Sequence, residues 1–498
     1  MKLITYAKKV GPVKADVFFY PVLQNDQEIL KLIKSFAYAD QDIILTRLKR
    51  ENFHGKKGQF FLIHSEDVAM VILGTGQKNK MEVEDWREAA GKLVYYLEKY
   101  SANNIGIVLN SWLKGNNDIY RLGVSMAEGI SLASYRFDKY IKDDEDDIKI
   151  DIDKFIVYLT ASQKVKFKKG WDQGLLMAMG TMKARDLVNE PAGIMTPGFL
   201  AKEALQIAKN NRQVTVKILE KADVKKLKMG AFMGVDQGSE EPLKFIHLVY
   251  KPNGKAKDRV AIVGKGITFD SGGLNIKVGD GMEQMKVDMS GAASVLGVFS
   301  AINGLAPKVE VHGIIAACEN MPSGKSYKPG DVLTNMQGKT IEIGNTDAEG
   351  RVTLADSLAY AQSQGIKKII DLATLTGACM VALGPEYAGL FSNDDNFAKT
   401  LLKHSNVVGE KLWHMPLAKE YVSFNKSKVA DVRNIADTRY GGAITAGLFL
   451  QKFIEDDVIW SHWDIAGPAF AEKPFNSYTP VGGVGFGVRT LFTWLLDY

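Results

Sequence analysis

The chain has 498 residues, which is longer than one ordinary domain, so we expect two or more domains. Hydrophobic residues make up 46% and charged residues 24%, a balance typical of globular proteins with sizeable cores. The formal net charge of +5 is too small to indicate a nucleic-acid partner by itself. The two cysteines, Cys318 and Cys379, form no CxxC motif and cannot staple a chain of this size, which favours reduced thiols.

The N-terminal residues offer no secretory leader, because charged side chains interrupt the apolar residues of MKLITYAKKVGPVKADVFFYPVL. No run of 18 or more apolar residues occurs, so no membrane-spanning segment is predicted. No Arg-rich stripe, helix-turn-helix pattern or basic–aromatic interleaving supports nucleic-acid binding, which stays open only as a second function. These features predict a cytoplasmic protein.

Short apolar runs alternate with helical patterns through the first third of the chain. The runs predict strands, and they are DVFFYPVL, QFFLIHS, DVAMVILG, NIGIVLN and KFIVYLT. Helical periodicity lies between them, as in VEDWREAAGKLVYYLEKY and RLGVSMAEGISLASYRF. The acidic cluster at 143–151 predicts a solvated loop near a domain edge. We expect an α/β domain over residues 1–165 and a second domain over residues 166–498.

The second part of the chain is richer in glycine, and its apolar runs end in polar or glycine residues. These runs are RVAIVGKGITFDSGGL, VEVHGIIAACEN, KTIEIGNTDAEGR, KKIIDLATLTGAC and IWSHWDIAGPA. Each predicts a buried strand, and in open α/β sheets the ligand crevice lies beyond the carboxyl ends of the strands. We therefore expect an α/β fold with mostly parallel strands and a shared site built from several strand ends.

Several common catalytic motifs are incomplete in this chain. Gly264 and Gly266 follow a predicted strand, but a dinucleotide fingerprint needs a further glycine where Phe269 stands. No GxSxG and no HExxH occur, and the seven histidines show no metal-ligand spacing. A nucleotide site, a nucleophile elbow or a histidine-rich zinc site is therefore not indicated.

The stretch NTDAEGRVTLADSLAYA, residues 345–361, crowds charged residues in front of a predicted helix. Asp347, Glu349 and Arg351 occupy alternate positions. One interpretation is helix capping, because Thr346 and Glu349 have the capping-box spacing. The other is a metal site, because converging carboxylates at the end of an element suit a divalent cation. The stretch alone leaves both interpretations open.

Carboxylates and lysines also follow two earlier predicted elements. Lys265, Asp270 and Lys277 lie in GKGITFDSGGLNIK, and Asp288 precedes a helix of small residues in MEQMKVDMSGAASVLG. Four buried carboxylates would raise one another's pKa values unless cations compensated them. Two lysines and an arginine could do this in a purely structural network, but a pair of divalent ions does it better. The residues therefore favour a metal centre over the structural network.

These motifs resemble those of the leucyl aminopeptidase family, the dinuclear cytosol metallopeptidases. NTDAEGR is the family's signature, and it is accompanied in family order by VGKGITFDSGG, MKVDMSGAA, NEPAG, ENMPSGKSYKPGDV, DLATLTGA and DIAG. The motifs cover roughly residues 185–470, and one departure is Val352, where the signature usually has leucine. The resemblance implies a smaller N-terminal α/β domain followed by a larger C-terminal α/β/α catalytic domain with a mixed central sheet.

The resemblance also implies a ligand role for each matching residue. Asp270 and Glu349 would bridge two metal ions. Asp347 would complete the ligand set of one ion, and Lys265 and Asp288 would complete that of the other. Oxygen ligands alone would favour manganese or magnesium. The resemblance instead makes zinc or manganese the expected metal.

Lys277 and Arg351 would form the catalytic pair of such an enzyme. Lys277 would contact the substrate and stabilise the oxyanion, and Arg351 would hold a bicarbonate ion that acts as general base. The free α-amino group of the substrate would ligate one ion and approach Asp288, which explains why only N-termini are trimmed.

The substrate side chain would occupy an apolar pocket, with ordinary core packing as the competing interpretation. The matching pocket positions are Met285, Thr374, Gly377 and Ala466. The carbonyl of Leu375 would bind the substrate backbone. The implied activity is release of N-terminal leucine and other apolar residues from peptides, by a homohexamer that contains two divalent metal ions per subunit.

Overall fold

The computed structural model describes residues 2–6, 15–34, 38–64, 69–97, 104–113, 118–142 and 154–498. The chain divides into two compact units, the first comprising Met1–Ala178 with Phe475–Pro480 and the second Met179–Pro474 with Val481–Tyr498. The division falls within one long helix, Ala161–Asn189, and the predicted domain boundary at residue 165 lies in this helix and stays a prediction. The acidic loop predicted at 143–151 lies outside the described residues.

Among its described residues, the first unit holds a six-stranded sheet. Its strands are β1 (Lys2–Tyr6), β2 (Val17–Val22), β3 (Phe60–His64), β4 (Ala69–Gly74), β5 (Asn104–Val108) and β6 (Lys154–Tyr158). The sheet order is β1-β6-β5-β2-β4-β3, and within it β3 runs antiparallel to β4 while the other neighbours are parallel. The accompanying helices are α1 (Glu28–Ile33), α2 (Tyr38–Arg50), α3 (Val83–Leu97), α4 (Asn110–Leu113), α5 (Ile119–Ala133) and α6 (Ala161–Asn189).

The central strand β2 has the character of a parallel strand covered on both faces. All six of its residues are buried, because its sequence VFFYPV is apolar at every position. Pro21 cannot donate a hydrogen bond, and the pairing of β2 with β5 spans only Val17–Phe19, so the proline lies beyond it. The five strands predicted in the first third of the chain are all present, as β2 to β6.

The second unit continues with α7 to α15 and β7 to β19. Its helices are α7 (Pro197–Asn210), α8 (Lys221–Lys226), α9 (Gly230–Asp236), α10 (Ser290–Leu305), α11 (Glu349–Ser363), α12 (Gly377–Leu383), α13 (Asp395–Val408), α14 (Gly442–Gln451) and α15 (Val488–Leu496). Its strands are β7 (Val214–Leu219), β8 (Lys244–Tyr250), β9 (Arg259–Asp270), β10 (Glu310–Asn320), β11 (Val332–Thr334), β12 (Thr340–Glu342), β13 (Lys368–Ala373), β14 (Tyr387–Ser392), β15 (Lys411–His414), β16 (Val432–Arg433), β17 (Ile459–Asp464), β18 (Phe470–Ala471) and β19 (Gly482–Gly483). Short 3-10 helices cover Lys78–Lys80 in the first unit and Asp280–Met282, Met285–Met289 and Lys419–Asn425 in the second.

The main sheet of the second unit has eight strands in the order β15-β14-β17-β13-β9-β10-β8-β7. Strands β17, β13, β9 and β10 are mutually parallel at its centre, whereas β8 runs antiparallel to β10 and β14 antiparallel to β17. The expected mixed central sheet in the larger C-terminal domain is therefore confirmed. Because the parallel strands point the same way, their carboxyl ends meet at one edge.

One predicted strand differs from expectation. The run KTIEIG forms only the three-residue strand β12, which belongs to a small sheet of β11, β12 and β16 and not to the main sheet. The physical reason is its alternation, since Ile341 is buried while Thr340 and Glu342 are only partly buried. A strand with one polar face does not suit the centre of a sheet that is covered on both sides.

The helix α10 packs against the central strands through small residues. A Cβ at Gly291 would clash with the Leu372 carbonyl of β13, so only glycine permits this approach. In the described part of the chain, Met285–Leu305 is long and apolar enough to cross a membrane by length and composition. That segment is 78% buried within the unit, which is the position of a core helix against β9 and β13.

Candidate metal centre and active site

The carboxyl ends of β9 and β10 fix the orientation of Asp270. Asp270 ends β9 and Asn320 ends β10, where the register of the two strands shifts. Asn320 Nδ2 donates to Asp270 Oδ1 at 2.8 Å, and the Gly272 N–H donates to the same oxygen at 2.9 Å. Gly272 has φ +87°, a left-handed conformation that lets the chain turn directly after the strand. The other oxygen of Asp270 therefore faces the site, where it contacts Lys277.

The turn in front of α11 is held by tertiary contacts and not by helix capping. The helix begins at Glu349, and Ala348 before it forms no side-chain cap. Thr346 Oγ1 donates to the Gly272 carbonyl at 2.6 Å and accepts the Asn275 N–H at 2.8 Å. The capping-box interpretation is therefore wrong, because Thr346 ties the turn to the loop that follows β9.

Three carboxylates from these two segments converge on one point. Asp270, Asp347 and Glu349 offer oxygen atoms that all lie within 4.8 Å of one another. Lys277 Nζ lies 2.8 Å from Asp270 Oδ2 and 2.6 Å from Asp347 Oδ1. Burial raises the pKa of both aspartates despite the nearby ammonium group. Burial also opposes the charge on Lys277, but its contacts with the two aspartates outweigh this and raise the Lys277 pKa.

Lys265 lies deeper, between the remaining ligand candidates. Its Nζ is 2.7 Å from Asp288 Oδ1 and 2.7 Å from Glu349 Oε1, and it donates to the Thr374 carbonyl at 2.9 Å. Burial disfavours the ammonium form, but the neighbouring carboxylates outweigh burial and raise the Lys265 pKa. A Cβ at Gly350 would clash with the Lys265 side chain, so the glycine of NTDAEGR provides the space that this lysine occupies.

The charges at this site do not balance. Four carboxylates are contacted by only two ammonium groups, and the carboxylates are Asp270, Asp288, Asp347 and Glu349. Asp288 Oδ2 is buried and has no hydrogen-bond partner among the described residues. Burial also raises the Asp288 pKa well above its usual range. Excess buried negative charge with an unpartnered oxygen fits divalent cations better than a self-contained lysine network.

Arg351 presents a buried guanidinium beside this cluster. Its Nη1 donates to the Asn434 carbonyl at 2.9 Å, while its Nε has no hydrogen-bond partner among the described residues. Burial lowers the Arg351 pKa to about 10, although Glu349 and Asp464 oppose that shift. A buried guanidinium with a spare donor is suited to holding an anion.

Two of the predicted pocket positions, Thr374 and Met285, lie next to Asp288. Thr374 Oγ1 donates to Asp288 Oδ1 at 2.8 Å, and Met285 begins the 3-10 helix that carries Asp288. Met285 is half-buried, so part of its side chain is not committed to core packing. Gly377 begins α12, and a Cβ there would meet nothing within 4 Å, which indicates open space at this position.

Leu375 and Ala466 lie on the loops that follow β13 and β17. Both are half-buried, and their N–H groups donate to the carboxylate of Asp464, at 3.1 Å and 3.2 Å respectively. The structure thus brings all the predicted site residues to one edge of the main sheet. Asn320, Asn434 and Asp464 were missed as contributors by the sequence analysis, although Asn320 and Asp464 stand in the quoted motifs ENMPSG and DIAG.

Two family models match the chain. Residues 182–492 match the catalytic domain of the cytosol aminopeptidase family, and residues 17–144 match its N-terminal domain. The chain belongs to the cytosol aminopeptidase family. The family resemblance stated from the motifs is confirmed, and the α/β fold with a larger C-terminal catalytic domain agrees with it. Membership makes the chain a metal-dependent aminopeptidase, which acts on peptides.

Similar proteins support this membership along the whole chain. A probable cytosol aminopeptidase of Alkaliphilus oremlandii is 42% identical over 496 residues, covering 99% of this chain and 98% of the relative. One of Aquifex aeolicus is 43% identical over 450 residues, covering 90% and 89%. A mutant of tomato leucine aminopeptidase has a similar solved structure, with TM-score 0.88, 35% identity and coverage of 100% and 97%.

A second solved structure comes from a protein with a different name. The bottromycin maturation enzyme BotP in complex with Mn has TM-score 0.84 and 32% identity, covering 97% of this chain and 99% of BotP. Both solved structures therefore support the α/β fold with a larger C-terminal catalytic domain.

Proposed function

We propose that this family member is a leucyl aminopeptidase, which uses two divalent metal ions to release leucine and other apolar residues from free N-termini. The observation that carries the proposal is the excess of carboxylates, three of them buried and Asp347 partly buried, at the edge of the main sheet. Three of them offer oxygens within 4.8 Å of one another, and the two lysines in contact neutralise only half of the negative charge.

The proposed ligand assignment is the one that the family motifs imply, and the convergence of Asp270, Asp347 and Glu349 supports it. Asp270 and Glu349 would be shared by both ions, Asp347 would hold one ion, and Lys265 and Asp288 would hold the other. Two bound divalent ions would lower the pKa of a shared water and polarise the scissile carbonyl. To act as a ligand, Lys265 must lose its proton, which a neighbouring dication favours. Zinc and manganese are the proposed metals, and the solved Mn complex of BotP supports manganese.

Lys277 is proposed to donate to the oxyanion that develops on the scissile carbonyl. Its ammonium form is favoured by Asp270 and Asp347, and its side chain is less deeply buried than that of Lys265, with 18% of its surface exposed against 4%. A fixed cationic donor in a site shielded from water stabilises developing negative charge. Lys277 is thus suited to touch the substrate, whereas Lys265 is suited to stay beneath it.

Arg351 is proposed to hold a bicarbonate ion as the general base. The free Nε donor of its buried guanidinium supports an anion at this position. Asp464 also acts on the Arg351 charge, but both of its carboxylate oxygens already accept hydrogen bonds from other groups, which leaves it poorly placed to act as the base. An exchangeable anion would fill that role, and its loss would slow the reaction without removing the metal ligands.

Substrate selection is proposed to depend on the edge around Asp288. The α-amino group would approach Asp288, and the side chain would enter the space bounded by Met285, Thr374, Gly377 and Ala466. The Leu375 carbonyl would accept a hydrogen bond from the substrate backbone. A cytoplasmic homohexamer is the proposed assembly, and sedimentation of the purified protein would test its mass.

A comparison of leucyl-p-nitroanilide with its N-acetyl form tests the proposed activity. We expect rapid hydrolysis of the free-amine substrate and none of the acetylated one, because an acetylated nitrogen cannot ligate a metal. Hydrolysis should also fall after dialysis against a chelator and return when Mn²⁺ or Zn²⁺ is added. Equal turnover of both substrates would rule out the amine-dependent mechanism.

A further inference from the structure

The carboxylate of Asp464 is surrounded by donors from the loops at the edge of the site. Its Oδ1 accepts the N–H groups of Leu375 at 3.1 Å, Thr376 at 3.3 Å and Ala466 at 3.2 Å. Its Oδ2 accepts the Thr376 hydroxyl at 2.6 Å. Asp464 ends β17 and is completely buried. One buried carboxylate therefore joins the loop after β13 to the loop after β17.

The loop after β13 has a second and separate anchor. The carbonyl of Thr374 accepts a hydrogen bond from Lys265 Nζ, and the Thr374 hydroxyl donates one to Asp288 Oδ1. Thr374 is thus fixed to the proposed metal ligands, whereas the residues after it are fixed to Asp464. Loss of Asp464 would release Leu375 and the start of α12 while Thr374 keeps its own contacts.

We infer that Asp464 is a positioning residue that sets the shape of the pocket for the substrate side chain. The inference rests on the proposed function, because the pocket positions are part of that proposal. Asp464 does not line the pocket through its own side chain, since it is completely buried and both carboxylate oxygens accept hydrogen bonds from backbone N–H groups or the Thr376 hydroxyl. It acts through Leu375, Thr376 and Ala466, whose separation it fixes.

The hydrogen bonds predict how an amide side chain would behave at this position. In Asp464→Asn, the amide oxygen of the new side chain could keep the three N–H donors. The NH₂ group would face Thr376 Oγ1, which already accepts the Cys379 N–H at 3.0 Å and has a second lone pair. Asp464→Asn should therefore preserve the loop, whereas Asp464→Ala removes all four bonds. Comparing the two variants therefore distinguishes an effect of the loop geometry from an effect of the negative charge of Asp464.

Asp371 offers a matched control on the neighbouring strand. It is also completely buried, and it accepts Trp460 Nε1 at 2.7 Å and contacts His462 Nδ1 at 2.6 Å. Neither of these partners is a predicted pocket residue. Asp371→Ala therefore removes a comparable buried carboxylate from the same sheet without releasing either loop.

The experiment compares kcat and KM for leucyl and alanyl substrates with metal content and Tm. Hydrophobic pockets discriminate by about 10- to 200-fold per methylene, so a released pocket should lose much of its preference. We expect Asp464→Ala to lower the leucyl-to-alanyl ratio of kcat/KM at least about tenfold, chiefly through KM, with metal content unchanged. Asp464→Asn should retain the ratio of the parent protein, and Asp371→Ala should lower Tm with the ratio intact.

Other results would overturn the inference. If Asp464→Ala and Asp371→Ala lower Tm alike and leave the leucyl-to-alanyl ratio unchanged, Asp464 is only a folding contact. If Asp464→Ala cannot be produced, Thr376→Val removes the 2.6 Å bond to Asp464 and should shift the ratio in the same direction by a smaller factor. An unshifted ratio in Thr376→Val would then contradict the inference. A parent protein without aminopeptidase activity would instead defeat the proposed function.

Discussion

The two ends of strands β9 and β10 both bury polar side chains, but they balance charge in different ways. At the amino end, His247 Nε2 lies 2.9 Å from His312 Nδ1, and His312 Nε2 lies 2.9 Å from Glu310 Oε1. Arg259 Nε donates to the same glutamate oxygen at 2.9 Å. The Tyr360 hydroxyl lies 3.1 Å from Nδ1, the other ring nitrogen of His247. Each of these polar groups has a partner within the protein.

At the carboxyl end, the four carboxylates have only two ammonium partners, and one oxygen of Asp288 has no partner among the described residues. A protein gains no stability from uncompensated buried charge, so an arrangement of this kind is retained for binding or catalysis. The complete hydrogen-bond network at the amino end belongs to the fold. An incomplete network at the carboxyl ends of parallel strands indicates a site that a ligand completes.

The largest effect is expected when Lys277 is replaced by methionine. Removing the proposed oxyanion donor should lower kcat about 10³-fold, because preorganised donors act on charge that develops in the transition state. Metal content should not fall, since the change removes a positive charge next to Asp270 and Asp347. Steady-state kinetics and elemental analysis measure both quantities. An unchanged kcat would show that the lysine only neutralises the carboxylates.

A smaller loss is expected for Arg351→Ala. If the arginine holds an exchangeable base, kcat should fall about 10²-fold, at the lower end of the range for general-base assistance. The parent protein should slow when bicarbonate is removed and recover when it is returned, and the variant should not respond. A parent protein indifferent to bicarbonate, beside a variant that still responds, would leave Arg351 as a structural partner of the Asn434 carbonyl.

The smallest effect is expected at the opposite end of the strands and concerns stability. Burial, with His312 and Lys217 adding to it, lowers the His247 pKa from 6.5 to about 4. The folded state then binds this proton less readily than the unfolded chain, so the contribution is intact above pH 6.5 and is lost as pH falls toward 4. At pH 5 the loss from this group is roughly 2 kcal/mol.

The variant His247→Gln should lack that part of the acid destabilisation. Denaturant unfolding of the parent protein and the variant at pH 7 and pH 5 measures the difference. Metal content and kcat at pH 7 should match those of the parent protein, because the residue lies far along the strands from Asp270. A variant with the same pH dependence as the parent protein would show that other groups cause the acid destabilisation.

Much of the fold could be predicted from the sequence, because its strands are apolar runs with clear ends. The runs that became β2, β9, β10, β13 and β17 are nearly continuous, as strands covered on both faces require. The run KTIEIG contains a strand as predicted, but only Ile341 is buried, because a short alternating strand can join either a main sheet or a small one. Register and sheet order depend on tertiary packing, which no local pattern contains.

The residues themselves predicted the charged members of the candidate site, and the family resemblance added the uncharged pocket positions. Carboxylates and lysines at strand ends are visible in one sequence, and the family motifs name their roles. The supporting residues were not visible, because Asn320 and Asp464 act through hydrogen bonds to segments far away in the chain. The Thr346 contacts with Gly272 and Asn275 are of the same kind, which is why the spacing alone suggested a capping box.

The most direct test of the metal centre is the metal content of the purified protein after dialysis, compared with that of two variants. We predict two divalent ions per chain in the parent protein. The Asp270→Ala variant should bind no ion, and the Asp347→Ala variant should lose chiefly one of the two. The Asp371→Ala variant serves as the control for removal of a buried carboxylate and should keep both ions. Full occupancy in Asp270→Ala, or a metal-free parent protein that still hydrolyses leucyl peptides, would contradict the account.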